Sequence, residues 1–339
     1  MSINLVTGAT GLLGAHTCLH LLNSGKKVVG VSRNEAAREN TLKIFSYYGK
    51  QDLLKKIEWR EADILDTEQL FLAFDNVHTV YHCAALVSFR KGEEKKLASV
   101  NREGTANVVN VCLAKKVNKL CYVSSVAALG RGQEKPTDET FVFDFSSEKT
   151  AYGRSKFEGE MEVWRGIEEG LNAVIVNPSI ILGPGNWNNG SPQLFTKAHQ
   201  GMLFSSPGST GFVDVRDVAK IMVQLTESNI SGERFLVNGF HLSYSTFFQM
   251  VCDALGSRAP KIIAPRIAGE LMWRWESLLW KLSGRTPLLT RETVNTAYRN
   301  QEYDTKKILG MLDYSFIPSE DSIRFIAQKF LEDKKSKTA

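Results

Sequence analysis

The chain has 339 residues, 43% of them hydrophobic and 23% charged, and its 42 basic against 37 acidic side chains give a formal net charge of +5. That length can bury a large core, and the weak, scattered positive charge lacks the aromatic-interleaved basic stripe that nucleic-acid binding needs, so the expected partner is a small molecule. The five cysteines, Cys18, Cys83, Cys112, Cys121 and Cys252, show no CxxC spacing, which argues against a metal site and suits buried thiols in a reducing cytoplasm. No apolar window reaches the length of a membrane span, and "INLVTG" begins at residue 3 without a charged and apolar leader, so a cytoplasmic protein is expected.

In chain order, the first strand candidate "INLVT" enters "GATGLLGAHTCLHLLNSG", a turn and a helix with Gly8, Gly11 and Gly14 spaced three apart. Glycines let backbone N–H groups approach a pyrophosphate at the positive end of the helix, and Thr10, Leu12 and Leu13 share that turn. The second strand, "KVVGV", ends in Ser32 and Arg33, where an acidic residue would hold a ribose 2′-hydroxyl. Arginine there suits a 2′-phosphate, so NADP is preferred and NAD possible. The third strand, "IEWREA", leads to Asp63 and Ile64, which could cover the adenine. The fourth, "TVYHCA", leads to Ala84 and Ala85, small enough for backbone to pass close to a cofactor.

The fifth strand runs "KLCYVSSVAALG" and closes on Ser124 and Ser125. A helix candidate, "AYGRSKFEGEMEVW", follows, with Tyr152 and Lys156 one turn apart on a shared face. An ammonium beside a phenol favours phenolate and would lower the tyrosine from its usual pKa of about 10, making it a usable proton carrier. "NAVIVN" and "RFLVNG" complete the strand candidates.

Short β-branched runs alternating with helices predict an α/β, Rossmann-type doubly wound parallel sheet that binds ligands beyond the carboxyl ends of its strands. The boundaries expected are a dinucleotide-binding domain over 1–178, with core strands continuing past 178, a mainly substrate-binding lobe over 179–330 rich in Gly, Pro and Asn loops, and a solvated tail over 331–339. In "RIAGELMWRWESLLWKLSG", Ala268, Leu271, Met272, Trp275, Leu279 and Leu282 make one helical stripe expected to face the core. Trp273 and Trp280 flank it as an aromatic edge able to line an apolar pocket, meet a partner subunit or rest on a membrane surface.

The set "TGATGLLG", "YVSSVAALG", "AYGRSK", "NPSIILGPG" and "GFVDVRDVA" resembles the extended short-chain dehydrogenase/reductase family, which includes NAD-dependent epimerases and dehydratases, over most of the chain. Within it the likeness is greatest to dihydroflavonol reductases and 3β-hydroxysteroid dehydrogenases. The resemblance implies that Tyr152 is the catalytic acid/base, that Lys156 also binds the nicotinamide ribose, and that Ser125 rather than Ser124 hydrogen-bonds the reacting oxygen. It also places Asn101 near the cofactor, with a structural role open, Pro178 against the nicotinamide, and Asp217 in a structural role.

Departures from the family's patterns narrow the reaction. Sugar-nucleotide dehydratases carry Asp and Glu where Val126 and Ala127 stand, and epimerases place a diphosphate-binding arginine where Thr210 stands, although Asn177 matches an epimerase-like contact. The expectation is therefore an oxidoreductase that reduces a carbonyl, or oxidises an alcohol, of a small apolar substrate. An NDP-sugar epimerase and a 3β-hydroxysteroid dehydrogenase/isomerase-like enzyme are the alternatives, and two helices on one sheet face offer a seam for a homodimer. A non-catalytic dinucleotide sensor would be expected to lack the Tyr and Lys.

Overall fold

The computed structural model describes residues 2–90, 92–130, 135–146, 150–283 and 291–338. Seven strands form one parallel sheet: β1 (Ile3–Thr7), β2 (Lys27–Ser32), β3 (Ile57–Glu61), β4 (Val77–His82), β5 (Lys119–Val123), β6 (Ala173–Pro178) and, after the short β7 (Ile180–Leu182), β8 (Phe204–Ser205) and β9 (Ser209–Asp214), β10 (Glu233–Val237). Their spatial order is β10-β6-β5-β4-β1-β2-β3. Each coincides with one of the seven strand candidates, because β-branched runs buried on both faces are the pattern of a covered parallel sheet. The order reverses between β1 and β4, the switch point beyond whose strand ends sheets of this kind bind ligands.

Helices cover both faces. On one side α1 (Leu12–Asn23) and α8 (Val215–Glu227) pack together over a core that includes Val6, Leu19, Tyr81, Val176, Ile221 and Phe235. On the other, α3 (Thr67–Ala73), α5 (Gly104–Ala114) and α6 (Ala151–Glu168) enclose Leu5, Val80, Val108, Leu120, Val163 and Ile175. The helix α2 (Arg38–Ser46) packs against α1, and α4 (Glu94–Ala98) packs against α6.

The C-terminal half contributes β10 to the main sheet and builds a second, three-stranded sheet from β7, β9 and β11 (Phe240–Ser243). Its core forms against α7 (Gln193–Gln200), α9 (Tyr244–Leu255) and α13 (Ser319–Thr338), with the Phe212 and Phe247 rings stacked at 4.5 Å. The strand β12 (Ile262–Ile263) pairs with β8 and leads into α10 (Arg266–Ser283), α11 (Arg291–Ala297) and α12 (Lys306–Met311). Within the segment expected as a solvated tail, residues 331–338 continue α13 with Glu332, Lys334, Lys335 and Ser336 exposed, and Asp333 reaches Lys43 of α2 at 3.0 Å.

One sequence expectation is reversed. The stripe on α10 does not face a core: Leu271 is 61% exposed, Trp275 63% and Met272 39%. The helix packs through the buried Gly269, where an added Cβ would lie 3.0 Å from the Tyr298 ring, and that is the opposite side of the helix. The side chains of Leu279, Trp280 and Leu282 lie outside the described residues.

Candidate active site

The glycine turn is shaped by close approach of backbone. Gly8 has a φ of +65°, and a Cβ there would lie 2.7 Å from the Ala84 nitrogen; a Cβ on Gly14 would fall 2.1 Å from the Gly8 carbonyl oxygen. Side chains at either position would break the turn. Gly11 caps α1 with no side-chain hydrogen bond, so the first N–H groups of the helix, from Leu12 onward, are left without an intrahelical acceptor. Thr10 is held through its carbonyl by Asn40 Nδ2 at 2.6 Å. A strand-end turn with uncapped donors and no room for a Cβ fits a dinucleotide pyrophosphate.

A buried relay joins this turn to the rest of the site. The Ala84 N–H donates to Thr7 Oγ1 at 3.3 Å, Thr7 Oγ1 lies 2.7 Å from His82 Nδ1, and His82 Nε2 lies 3.1 Å from Thr105 Oγ1, which donates to the Asn101 carbonyl at 2.7 Å. With Thr105 donating onward, the ring is neutral and carries its proton on Nε2. Burial holds His82 down at a pKa of about 3. Asn101 spends its side-chain amide on the Leu86 backbone, at 2.7 and 2.9 Å, and on Ser155 Oγ at 2.9 Å, so it clamps the loop after β4 to α6.

Directly after β2, Arg33 is exposed and, among the described residues, makes no hydrogen bond or ion pair. Arg38, which composition and spacing did not single out, donates to Ser32 Oγ at 3.1 Å and lies over the Trp59 ring at 5.3 Å. Two guanidinium groups thus stand at the end of β2. Asp63 accepts from the Leu65 N–H at 3.0 Å, Ile64 is buried, Ala85 is exposed, and Pro178 ends β6.

The serine, tyrosine and lysine converge at the ends of β5 and β6 and the start of α6. The Ser125 side chain stands near enough to the Tyr152 hydroxyl to favour its phenolate, and Ser125 Oγ accepts from the Ala127 N–H at 3.1 Å. The Phe89 ring, from the loop after β4, meets the Tyr152 ring edge-on at 5.6 Å. Thr150 caps α6 by accepting from the Gly153 N–H, which fixes where the Tyr152 turn begins. Ser124 faces away, donating to Glu160 Oε2 at 2.6 Å, so the two adjacent serines have different environments.

The expected lowering of the Tyr152 pKa by Lys156 is not what the geometry produces. Lys156 is 1% exposed and donates to the Tyr122 hydroxyl at 3.0 Å and the Val123 carbonyl at 2.8 Å. Tyr152 stands above its ordinary value because burial penalises phenolate, with the Ser125 side chain acting the other way. Lys156 is itself lowered to about 7, mainly by burial, while the Glu160 carboxylate acts to raise it.

Glu160, fully buried, is the residue that spacing alone did not flag. It accepts from Ser124, from Asn177 Nδ2 at 2.8 Å and from the Arg234 guanidinium at 2.9 Å. Asn177 Nδ2 also donates to the Ser125 carbonyl at 3.1 Å, and its Oδ1 is buried with no partner among the described residues. The available signal was a carboxylate one turn beyond Lys156 on the same face. A cleft of about 720 Å³ lined by Glu139, Phe143, Phe157, Met161, Trp164 and Arg234 lies on another side of α6 and includes neither Tyr152 nor Ser125.

Residues 4–237 match the NAD dependent epimerase/dehydratase family. The chain is 31% identical over 323 residues, 92% of its length and 94% of the relative's, to sterol demethylase protein B of Methylococcus capsulatus. It is 27% identical to a putative dihydroflavonol 4-reductase of Synechocystis over 91% of this chain and 88% of that one. The fold of the UDP-glucose 4-epimerase of Thermotoga maritima, solved with UDP-glucose, superimposes with a TM-score of 0.78 over 98% of this chain and 99% of that one at 18% identity. The chain is an NAD(P)-dependent enzyme and belongs to the NAD-dependent epimerase/dehydratase family.

Proposed function

We propose that the protein is an NADP-dependent oxidoreductase that reduces a ketone or aldehyde, or oxidises the corresponding alcohol, on a small apolar substrate. The observation that carries this reading is the convergence of Ser125, at the end of β5, with Tyr152, at the start of α6, beside a buried Lys156 one helical turn on. The cofactor, when bound, supplies or accepts a hydride at the substrate carbon. In the reducing direction Ser125 holds the carbonyl oxygen and Tyr152 gives that oxygen its proton, yielding an alcohol and oxidised cofactor. A tyrosine kept above its usual pKa is protonated at neutral pH, as that direction requires.

Lys156 has three donors, of which two are spent on Tyr122 and Val123, leaving one for a ribose hydroxyl. Arg33 and Arg38 at the end of β2 support a 2′-phosphate. The Phe89 ring edge-on to Tyr152 and the sterol- and flavonol-directed names of the relatives support an apolar substrate.

The test is coenzyme oxidation with NADPH and with NADH against apolar ring ketones, aldehydes and sugar nucleotides. Reduction of an apolar ketone with NADPH, lost by a factor on the order of 10² or more in Tyr152→Phe while NADPH binding persists, is the expected result. Isomerisation of a sugar nucleotide without net coenzyme consumption, or full turnover in Tyr152→Phe, would overturn it.

A further inference from the structure

We propose that α10, together with the β8/β12 ladder, seats the protein on an anionic lipid surface. Ile267, Leu271 and Trp275 recur at every fourth position of α10 and are 75%, 61% and 63% exposed, and the β8/β12 ladder before the helix adds exposed Phe204, Ile262 and Ile263. Isolated exposed apolar side chains are ordinary, but a run of large ones along a helix and the strand leading into it marks a contact surface.

The inner face of the helix is already occupied. Gly269 packs on Tyr298 and Val294, and the Tyr298 hydroxyl donates to the Ala264 and Pro265 carbonyls at 2.8 and 3.0 Å, anchoring the start of α10. The exposed stripe lies on the other side, so closing the helix inward cannot bury it without breaking that anchor.

Charge selects the occupant. The stretch from Arg258 to Arg285 has six basic and two acidic residues, and Arg258, Lys261, Arg266 and Arg274 are exposed among the apolar side chains. One of the two acids, Glu270, is paired with Arg274 at 3.3 Å. A second copy of the chain docked by a two-fold axis would bring these cations against their own images. Anionic headgroups instead pair with them while the apolar side chains enter the acyl boundary, as in helices that lie in an interface. No helix among the described residues is long and apolar enough to cross a membrane, so the contact is peripheral.

The experiment is cosedimentation of the full chain with phosphatidylcholine vesicles, with and without phosphatidylglycerol. Binding to the anionic vesicles should exceed that to the neutral ones by about tenfold and fall with salt. Leu271→Glu with Trp275→Glu should lose it, and Lys261→Glu with Arg266→Glu should abolish the preference for anionic lipid. Because these positions lie on the surface, thermal midpoint and turnover of a water-soluble carbonyl substrate should be unchanged. As a measurement that requires no altered charge, brominated lipid should quench wild-type tryptophan fluorescence more than that of Trp275→Ala. Absence of vesicle binding, equal binding by the Leu271→Glu, Trp275→Glu protein, or a concentration-dependent dimer that these substitutions dissolve would each overturn the proposal.

Discussion

Glu160 places its carboxylate 2.9 Å from the Arg234 guanidinium, one helical turn beyond Lys156, with Glu160 fully buried and the Arg234 side chain 15% exposed. Arg234 also donates to the Glu139 and Phe141 carbonyls, so one ion pair joins α6, the edge strand β10 and the loop at 139–141. Removing one partner strands the other charge in the interior. Glu160→Leu and Arg234→Met should each destabilise the fold by about 3–5 kcal/mol, and the double variant by less than their sum. Urea unfolding of the three variants measures this; strict additivity would show that the two side chains do not depend on one another.

The two adjacent serines should separate cleanly. Ser125 lies beside Tyr152, and Ser125→Ala should reduce turnover by roughly 10²-fold with the fold intact. Ser124 bonds Glu160, and Ser124→Ala should cost about 1–3 kcal/mol of stability while most of the turnover survives. Steady-state kinetics and thermal midpoints on both proteins decide it; reversed outcomes would exchange the two assignments.

Coenzyme choice should depend on the arginines beyond β2. Arg33→Ala and Arg38→Ala should raise KM for NADPH by about tenfold each, with little change in kcat or in KM for NADH, since a guanidinium–phosphate pair contributes on the order of 1.5–3 kcal/mol. Equal effects on both coenzymes would place these side chains away from the 2′-phosphate.

Acid should loosen the protein through two neutral imidazoles. Burial lowers His82 from 6.5 to about 3 and His16 from 6.5 to about 4. The folded state then binds fewer protons than the unfolded chain below pH 6.5, so this stability is complete above 6.5 and is lost as pH falls toward those folded values. Between 6.5 and about pH 5 each ring should cost roughly 2 kcal/mol. His82→Gln, though less stable at neutral pH, should show a shallower acid slope in urea midpoints; an unchanged slope would mean that this ring does not titrate with unfolding.

What the chain order carries is local. The seven sheet strands, the glycine turn and the one-turn spacing of Tyr152 and Lys156 were legible because strand periodicity, Gly conformational freedom and helical pitch act over a few residues. The three-residue β7 and four-residue β11 escaped notice because strands that short, beside turn residues, have little pattern of their own, and β9 is flanked by the loop "SSPGSTG".

The direction of the Tyr152 shift, the pairing of Lys156 with Tyr122, the Glu160–Arg234 link and the outward face of α10 were decided only by tertiary structure. Each depends on desolvation or on contacts between residues far apart in the chain: Tyr122 meets Lys156 across a strand end and a helix, and Gly269 turns α10 by letting Tyr298 approach where a larger side chain could not. An amphipathic stripe states that one face of a helix is apolar. Which face meets the protein depends on what packs closest, and here a glycine and a tyrosine decide it.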